Sequence, residues 1–450
     1  MRASFYTLGC KLNYAETASL ERQFHDHGFS IVPFSDLADV CVINTCSVTD
    51  RADREARQIV RRALRTSPNA FVVVLGCYAQ LDPEVIASID GVDLVLGASE
   101  KFRVFHYADS FKKYATPKIF VSPIETVNDF GPASSGGIDD RTRAFLKVQD
   151  GCDYNCSFCT IPLARGTSRS QSVDACIAQA RSLAASGYKE IVLTGVNVGD
   201  YGKNDSTSLL ELLKSIETVE GIERIRISSI EPNLCTEPLL EYWIRSEKIC
   251  NHFHIPLQSG TDELLKKMRR RYNSEYYKNL IHSIRAKAPD AGIGADVIVG
   301  FPGETNELFE QNFNFIQDLP LSYLHVFTYS ERRNTPSVTY PGRVEPRIRF
   351  SHSDQLRALA LKKKSVFYES QQGKIRPVLI ESHIENNRLS GYTDNYVRVD
   401  VPYHPSLENS VADVKIGSFN GETCTGEIQD ITSFGSPVVV DIPIVAAPIK

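Results

Sequence analysis

Three cysteines within eight residues, in Cys152-Asp153-Tyr154-Asn155-Cys156-Ser157-Phe158-Cys159, constrain this chain more than any other feature. The spacing CxxxCxxC offers three thiolates from one short loop. Three thiolates hold three irons of a four-iron cube and leave the fourth iron open to a chelating molecule. Zinc is the competing occupant. Structural zinc sites use four ligands in paired knuckles, and no second pair or CxxH lies near this loop. A disulfide framework fits less well, because eleven cysteines, odd in number and unevenly spaced, suit a reducing cytosol. The first nine residues lack the basic and apolar regions of a cleavable signal and run straight into a strand-like stretch, so a cytoplasmic location is expected.

At 450 residues the chain has room for about three domains. Its longest apolar runs, such as 71–75, are strand-sized rather than membrane-sized, which predicts a soluble protein without a membrane partner. A net charge of −5 gives no overall nucleic-acid signal, so a basic surface has to be found locally.

The first segment predicts an open parallel α/β sheet. Strands over 4–8, 40–44, 71–75 and 93–96 alternate with helices over 13–27, 52–65 and 83–89. Cys10, Cys46 and Cys77 each follow one of the first three strands and should emerge together at the carboxyl edge of the sheet. Two readings stay open from spacing alone: a second cluster, or buried core thiols of the kind read at Cys41 inside its strand. Periodicity fades over 116–143, where Pro117, Pro123, Pro132 and Ala133-Ser134-Ser135-Gly136-Gly137 read as a linker with a boundary near Ile138.

Six strand-helix units then predict a partial (βα)6 barrel. The strands are expected over 144–148, 191–194, 224–228, 253–255, 294–299 and 323–327, which sets the 152–159 loop after the first strand, on the face where such barrels keep their chemistry. Arg165 and Arg169, just beyond the loop, are candidates for a carboxylate or phosphate. From about Gly373 the period becomes two, which predicts a small antiparallel barrel.

Cationic residues concentrate in three places. These are 266–271, the series Arg51, Arg54, Arg57, Arg61, Arg62 and Arg65, and 332–376, where eleven Lys and Arg face three acids. Solvated faces are the common reason for such runs, and phosphate binding is the alternative. After residue 370 acids outnumber bases ten to six, which shifts the expected nucleic-acid grip to the basic linker before the barrel.

The CxxxCxxC loop resembles the signature of the radical S-adenosylmethionine enzymes. The resemblance implies that Cys152, Cys156 and Cys159 hold a 4Fe-4S cluster and that Phe158 lies beside the adenine of S-adenosylmethionine. It also implies cofactor contacts at Arg165, Thr194, Gly195, Glu231, Gln258 and Asp296. Thr7-Leu8-Gly9-Cys10-Lys11-Leu12-Asn13, Asn44-Thr45-Cys46 and Gly76-Cys77 resemble the amino-terminal domain of the methylthiotransferases, in which these three cysteines hold an auxiliary 4Fe-4S cluster. The last segment resembles their RNA-binding TRAM barrel.

The implied domains are 1–120, 138–369 and 370–440. The implied reaction replaces an aromatic C–H with C–S–CH3 on a modified adenosine of tRNA, with two 4Fe-4S clusters and with S-adenosylmethionine as both radical source and methyl donor. An anticodon stem-loop, a low-potential electron donor and a sulfur source would be the partners of a monomer. Lys11-Leu12 resembles the branch acting on threonylcarbamoyladenosine. The alternatives are isopentenyladenosine in tRNA, an aspartate of a ribosomal protein, and a non-catalytic iron-sulfur RNA-binding protein.

Overall fold

Apolar runs that alternate with amphipathic helices bury strands on both faces, the condition for a parallel sheet. The computed structural model of the chain describes every residue except 48–49, 109, 129, 132, 136–141 and 436–450, along with the side chains of residues 50 and 51 excepted. The expected boundary at Ile138, with Pro132, Gly136 and Gly137, lies outside the described residues. Six parallel strands, β1 (Arg2–Thr7), β2 (Ser30–Val32), β3 (Val40–Thr45), β4 (Phe71–Gly76), β5 (Leu94–Leu96) and β6 (Lys118–Phe120), pair in the order β2-β1-β3-β4-β5-β6. Every residue of β3 and β4 is buried. Two of these strands were not expected. β2 and β6 are three residues long, and β6 lies within the stretch read as linker, because so short a strand leaves no periodicity to detect.

Next come β7 (Arg143–Lys147), a two-residue ribbon of β8 (Gln149–Asp150) and β9 (Arg169–Ser170), then β10 (Glu190–Thr194), β11 (Arg224–Ile227), β12 (His252–His254), β13 (Gly292–Val299) and β14 (Tyr323–Thr328). They form two parallel sheets, β11-β10-β7 and β12-β13-β14, joined by a parallel bridge between Ser229 and His254. The result is an open barrel with β7 and β14 as its edges. Alternate residues divide cleanly. Ala144, Leu146, Ile191, Leu193, Ile225, Ile227, Phe253, Ile293, Ala295, Val297, Leu324 and Val326 join the core under the helices, which leaves Arg143, Glu190, Arg226, His252, His254, Asp296, Tyr323 and His325 on the lumen side.

The carboxy-terminal strands, β15 (Ile375–Glu385), β16 (Arg388–Thr393), β17 (Arg398–Pro402), β18 (Val411–Phe419) and β19 (Cys424–Ser433), close a small barrel in the order β15-β16-β17-β19-β18. The expectation of an antiparallel barrel holds except at the seam, where β17 and β19 run parallel through Val399–Cys424 and Asp400–Thr425. The turn after β16 plugs the floor of the larger barrel. Arg224 and Arg226 donate to the carbonyls of Tyr392, Thr393 and Asp394, and a Cβ on Gly292 would stand 2.1 Å from the Asn395 carbonyl oxygen.

The basic stretch before this barrel is not a linker. A 25-residue helix, Pro346–Ser370, begins on Pro346 and buries Leu356, Leu359, Phe367 and Tyr368 between the two barrels. Its basic residues masked the apolar face that makes it helical. Among the described residues, no helix is long and apolar enough to cross a membrane.

Candidate functional site

The 152–159 loop leaves β8 at the carboxyl edge of the open barrel. The amide N–H of Tyr154 donates to Cys152 Sγ and that of Ile161 to Cys159 Sγ, both at 3.4 Å. Arg270 donates to Cys156 Sγ at 3.0 Å and pairs with Glu231. The Arg271 guanidinium stacks 3.8 Å over Tyr154 and donates to the Asp153 carbonyl. Burial pushes Cys152 and Cys159 up to about 12. N–H groups and a guanidinium aimed at sulfur are the donor set that favours thiolates, and thiolates bind a metal while releasing protons. An iron-sulfur cube held at three corners fits this arrangement.

The second triplet comes from three strand ends. Gly9, Cys10, Cys46 and Cys77 end β1, β3 and β4, whose registers align Thr7 with Asn44 and Thr45 with Gly76. A Cβ on Gly9 would lie 2.7 Å from Cys46 Cβ, and the left-handed Gly9 (φ +104°) lets the chain turn there. Gly76 does the same for Cys77 at φ +99°. Burial pushes Cys77 up, and the neighbouring charge of Cys10 adds to it, so these thiols share one locality. Cys41 is buried and takes a hydrogen bond from Ser4 Oγ, as its packing role predicts.

Between the two triplets lies a buried charge network that sequence reading missed. Glu16, fully buried, is 2.6 Å from Lys101, 3.2 Å from Lys147 and 2.8 Å from Arg165, while Asp150 is 2.7 Å from Lys147 and 3.0 Å from Arg165. Burial opposes the Glu16 charge, but Arg165, Lys101 and Lys147 outweigh it and hold the carboxyl far below its ordinary range. Arg165, expected at a cofactor carboxylate or phosphate, instead spends its donors on Glu16, Asp150 and Asn13. Arg169 donates to the carbonyls of Arg165 and Thr167. Glu16 follows Cys10 by six residues, and one acid on a helix carries no such information in the sequence.

The other expected cofactor residues line the same rim. Thr194 is buried, Gly195 approaches the Gln149 side chain closely enough that a Cβ would stand 2.8 Å from its Oε1, and Asn197 N–H donates to that oxygen. Gln258 has φ +66° and bridges to Val297. Asp296 lies 3.2 Å from His254, whose other ring nitrogen meets Ser229 Oγ at 2.7 Å. Phe158 packs in an apolar cluster with Leu264, Met268 and Phe301. His254 and His325 were not singled out in the sequence, where histidines alternating along strands read as ordinary polar positions.

The three cationic runs separate. In 266–271, Arg270 and Arg271 hold the cysteine loop as described above. In 332–376, Arg332 is buried against Asp53 at 2.7 Å, Arg349 pairs with Glu331 at 2.6 Å, and Lys363 donates to the Gln317 and Leu319 carbonyls. Helix Asp50–Thr66 presents Arg54, Arg57, Arg61, Arg62 and Arg65 outward, the last four around a groove of about 1160 Å³; the Arg51 side chain lies outside the described residues.

An open (βα)6 barrel with a three-cysteine loop at its carboxyl rim defines the radical S-adenosylmethionine class, and residues 146–316 match the Radical SAM superfamily while residues 2–97 match the Uncharacterized protein family UPF0004. A cobalamin- and 4Fe-4S-bound methyltransferase, TsrM from Kitasatospora setae, shares the fold at a TM-score of 0.53 and 16% identity, over 75% of this chain and 74% of that one. The chain is 39% identical to the threonylcarbamoyladenosine tRNA methylthiotransferase MtaB of Bacillus subtilis, over 92% of this chain and 93% of that protein. The tRNA-2-methylthio-N(6)-dimethylallyladenosine synthase of Clostridium tetani is 31% identical over 91% and 92%. The chain belongs to the methylthiotransferase family of radical S-adenosylmethionine enzymes.

Proposed function

We propose that this enzyme places a methylthio group on carbon 2 of threonylcarbamoyladenosine beside the tRNA anticodon, using two 4Fe-4S clusters and S-adenosylmethionine. In this reading Cys152, Cys156 and Cys159 hold the cluster that binds S-adenosylmethionine, and Cys10, Cys46 and Cys77 hold the auxiliary cluster. The bound cofactors supply radical hydrogen abstraction and the methylthio group, which acid-base chemistry cannot deliver to an unactivated C–H. The chain's own residues position them. Arg270 orients Cys156 and Glu231, and Gln149 fixes the Thr194–Asn197 turn. Segments 1–120, 138–369 and 370–440 would act as the cluster-bearing, radical and RNA-facing domains.

The observation that carries this reading is the pair of cysteine triplets, one on each side of the Glu16–Arg165 joint. Relatives named for threonylcarbamoyladenosine are up to 39% identical and those named for dimethylallyladenosine 31%, which favours the former substrate. An anticodon-loop base can be splayed out toward a rim of this kind, whereas a stacked helical base cannot. Nucleoside mass spectrometry on tRNA from cells with and without the gene tests the substrate. Loss of methylthio-threonylcarbamoyladenosine is expected, and loss of the methylthio-isopentenyl nucleoside alone refutes it.

A further inference from the structure

Three lumen residues outside both cysteine triplets bring together a donor set that the reaction above does not use. His254 ends β12, Asp296 lies on β13 and His325 on β14, and these strands pair in parallel in that order. The register sets Asp296 opposite His325 and His254 opposite Gly294, two residues before Asp296 on the same face. One ligand atom from each of the three, two imidazole nitrogens and a carboxylate oxygen, lie within 4.8 Å of one another. The two imidazole rings are 5.3 Å apart between centroids, and the His325 ring makes no hydrogen bond among the described residues.

The contacts of His254 carry the argument further. Its Nδ1 meets Ser229 Oγ at 2.7 Å, while its Nε2 is buried, lies 3.2 Å from Asp296 Oδ1 and makes no hydrogen bond. Metal-ligating imidazoles donate the proton of one ring nitrogen to a neighbouring oxygen, which fixes the ring and leaves the other nitrogen its lone pair. With Nδ1 donating to Ser229, a lone pair and a carboxylate oxygen face each other with no proton between them. A cation answers that contact. Nitrogen and oxygen ligands about 2.1 Å from one ion stand about 3.0–3.4 Å apart, the spacing found here. We propose that His254, Asp296 and His325 bind one divalent transition-metal ion in the barrel lumen, with Ser229 as the positioning residue for His254. Two imidazoles and one carboxylate suit zinc, iron(II) or manganese, and three protein ligands leave coordination positions open. His254 and Asp296 are half-buried and His325 is exposed, so those positions face the lumen, where water or an oxygen of an incoming ligand completes them. The site gives Asp296 a different partner from the cofactor contact that the resemblance implies.

The test titrates the anaerobically reconstituted full chain with Mn2+, an ion that favours oxygen ligands over thiolates, so that the cysteine triplets do not compete for it. Free and bound ion are read by electron paramagnetic resonance, and imidazole ligation by nitrogen coupling in the pulsed spectrum. The unaltered enzyme should take up about one Mn2+ per chain, show that coupling, and release the ion to Zn2+, as the affinity order of divalent metals requires. His325→Ala, which alters an exposed side chain, should lose the bound ion while retaining iron, and Asp296→Asn should do the same. Ser229→Ala should keep the nitrogen coupling and weaken binding about tenfold, the effect of removing the partner that orients a ligating histidine. Absence of stoichiometric uptake, bound Mn2+ without nitrogen coupling, or uptake that survives both His325→Ala and Asp296→Asn overturns the site and leaves His254 and Asp296 as a pair sharing a proton. These outcomes bear on the lumen site alone, whichever adenosine the enzyme modifies.

Discussion

The two cysteine triplets bring three sulfurs together by different means. Cys152, Cys156 and Cys159 share one loop whose own amides donate to two of the sulfurs, and a single remote side chain, Arg270, reaches the third. Cys10, Cys46 and Cys77 meet only because β1, β3 and β4 are in register and because Gly9 and Gly76 take left-handed turns. A local site tolerates disturbance elsewhere in the fold, whereas an assembled site inherits every error in sheet register and domain joint. The radical loop should therefore be the more robust of the two, and the auxiliary site the one that damage to the fold removes first.

The largest effect should separate their chemistry. Changing Cys152, Cys156 and Cys159 to Ala should abolish reductive cleavage of S-adenosylmethionine while leaving about four irons per chain. The Cys10→Ala, Cys46→Ala, Cys77→Ala variant should still cleave the cofactor and yield no methylthio product. Methylthiolated RNA from the second variant, or complete iron loss from a folded first variant, would collapse the division of labour.

A single change at the joint should sharpen the contrast. Glu16→Gln strips a carboxylate partner from three buried cations, of which Lys147 and Arg165 keep Asp150, and should cost about 3–5 kcal/mol in denaturant unfolding. Iron from the amino-terminal triplet should be lost before iron from the 152–159 loop, read by spectroscopy as the protein is titrated with chelator. Simultaneous loss from both sites would show that the joint does not favour either.

The smallest effect concerns RNA. Neutralising Arg61 and Arg65 should lower the slope of log affinity against log salt by about 1–2, as expected for two phosphate contacts. Removing Lys362, Lys363 and Lys364 should change it by less than 1, because Lys363 and Lys364 donate to protein carbonyls and only Lys362 stands free and exposed among the described residues. The reverse ranking would return the grip to helix Pro346–Ser370.

Helix Pro346–Ser370 also shows where sequence reading loses information. Its Lys and Arg suggested a solvated connector, but Leu356, Leu359 and Phe367 recur at helical spacing and bury one face. The long strands and helices were legible because periodicity accumulates over their length. β2 and β6, at three residues each, are decided by the neighbouring strand that supplies their hydrogen bonds.

The sequence alone determined the two triplets, the strand ends that carry them, and the alternation of strand and helix that makes a parallel sheet and an open barrel. These are local properties, set by spacing, turn-forming glycines and hydrophobic period. Tertiary structure alone decided that Arg165 closes a joint with Glu16, that Arg270 faces Cys156, and that the Tyr392–Tyr396 turn seals the barrel floor. Each depends on which groups meet across more than a hundred residues of chain. Coulomb energy in a buried site depends on distance and desolvation, and neither quantity exists until the chain has folded.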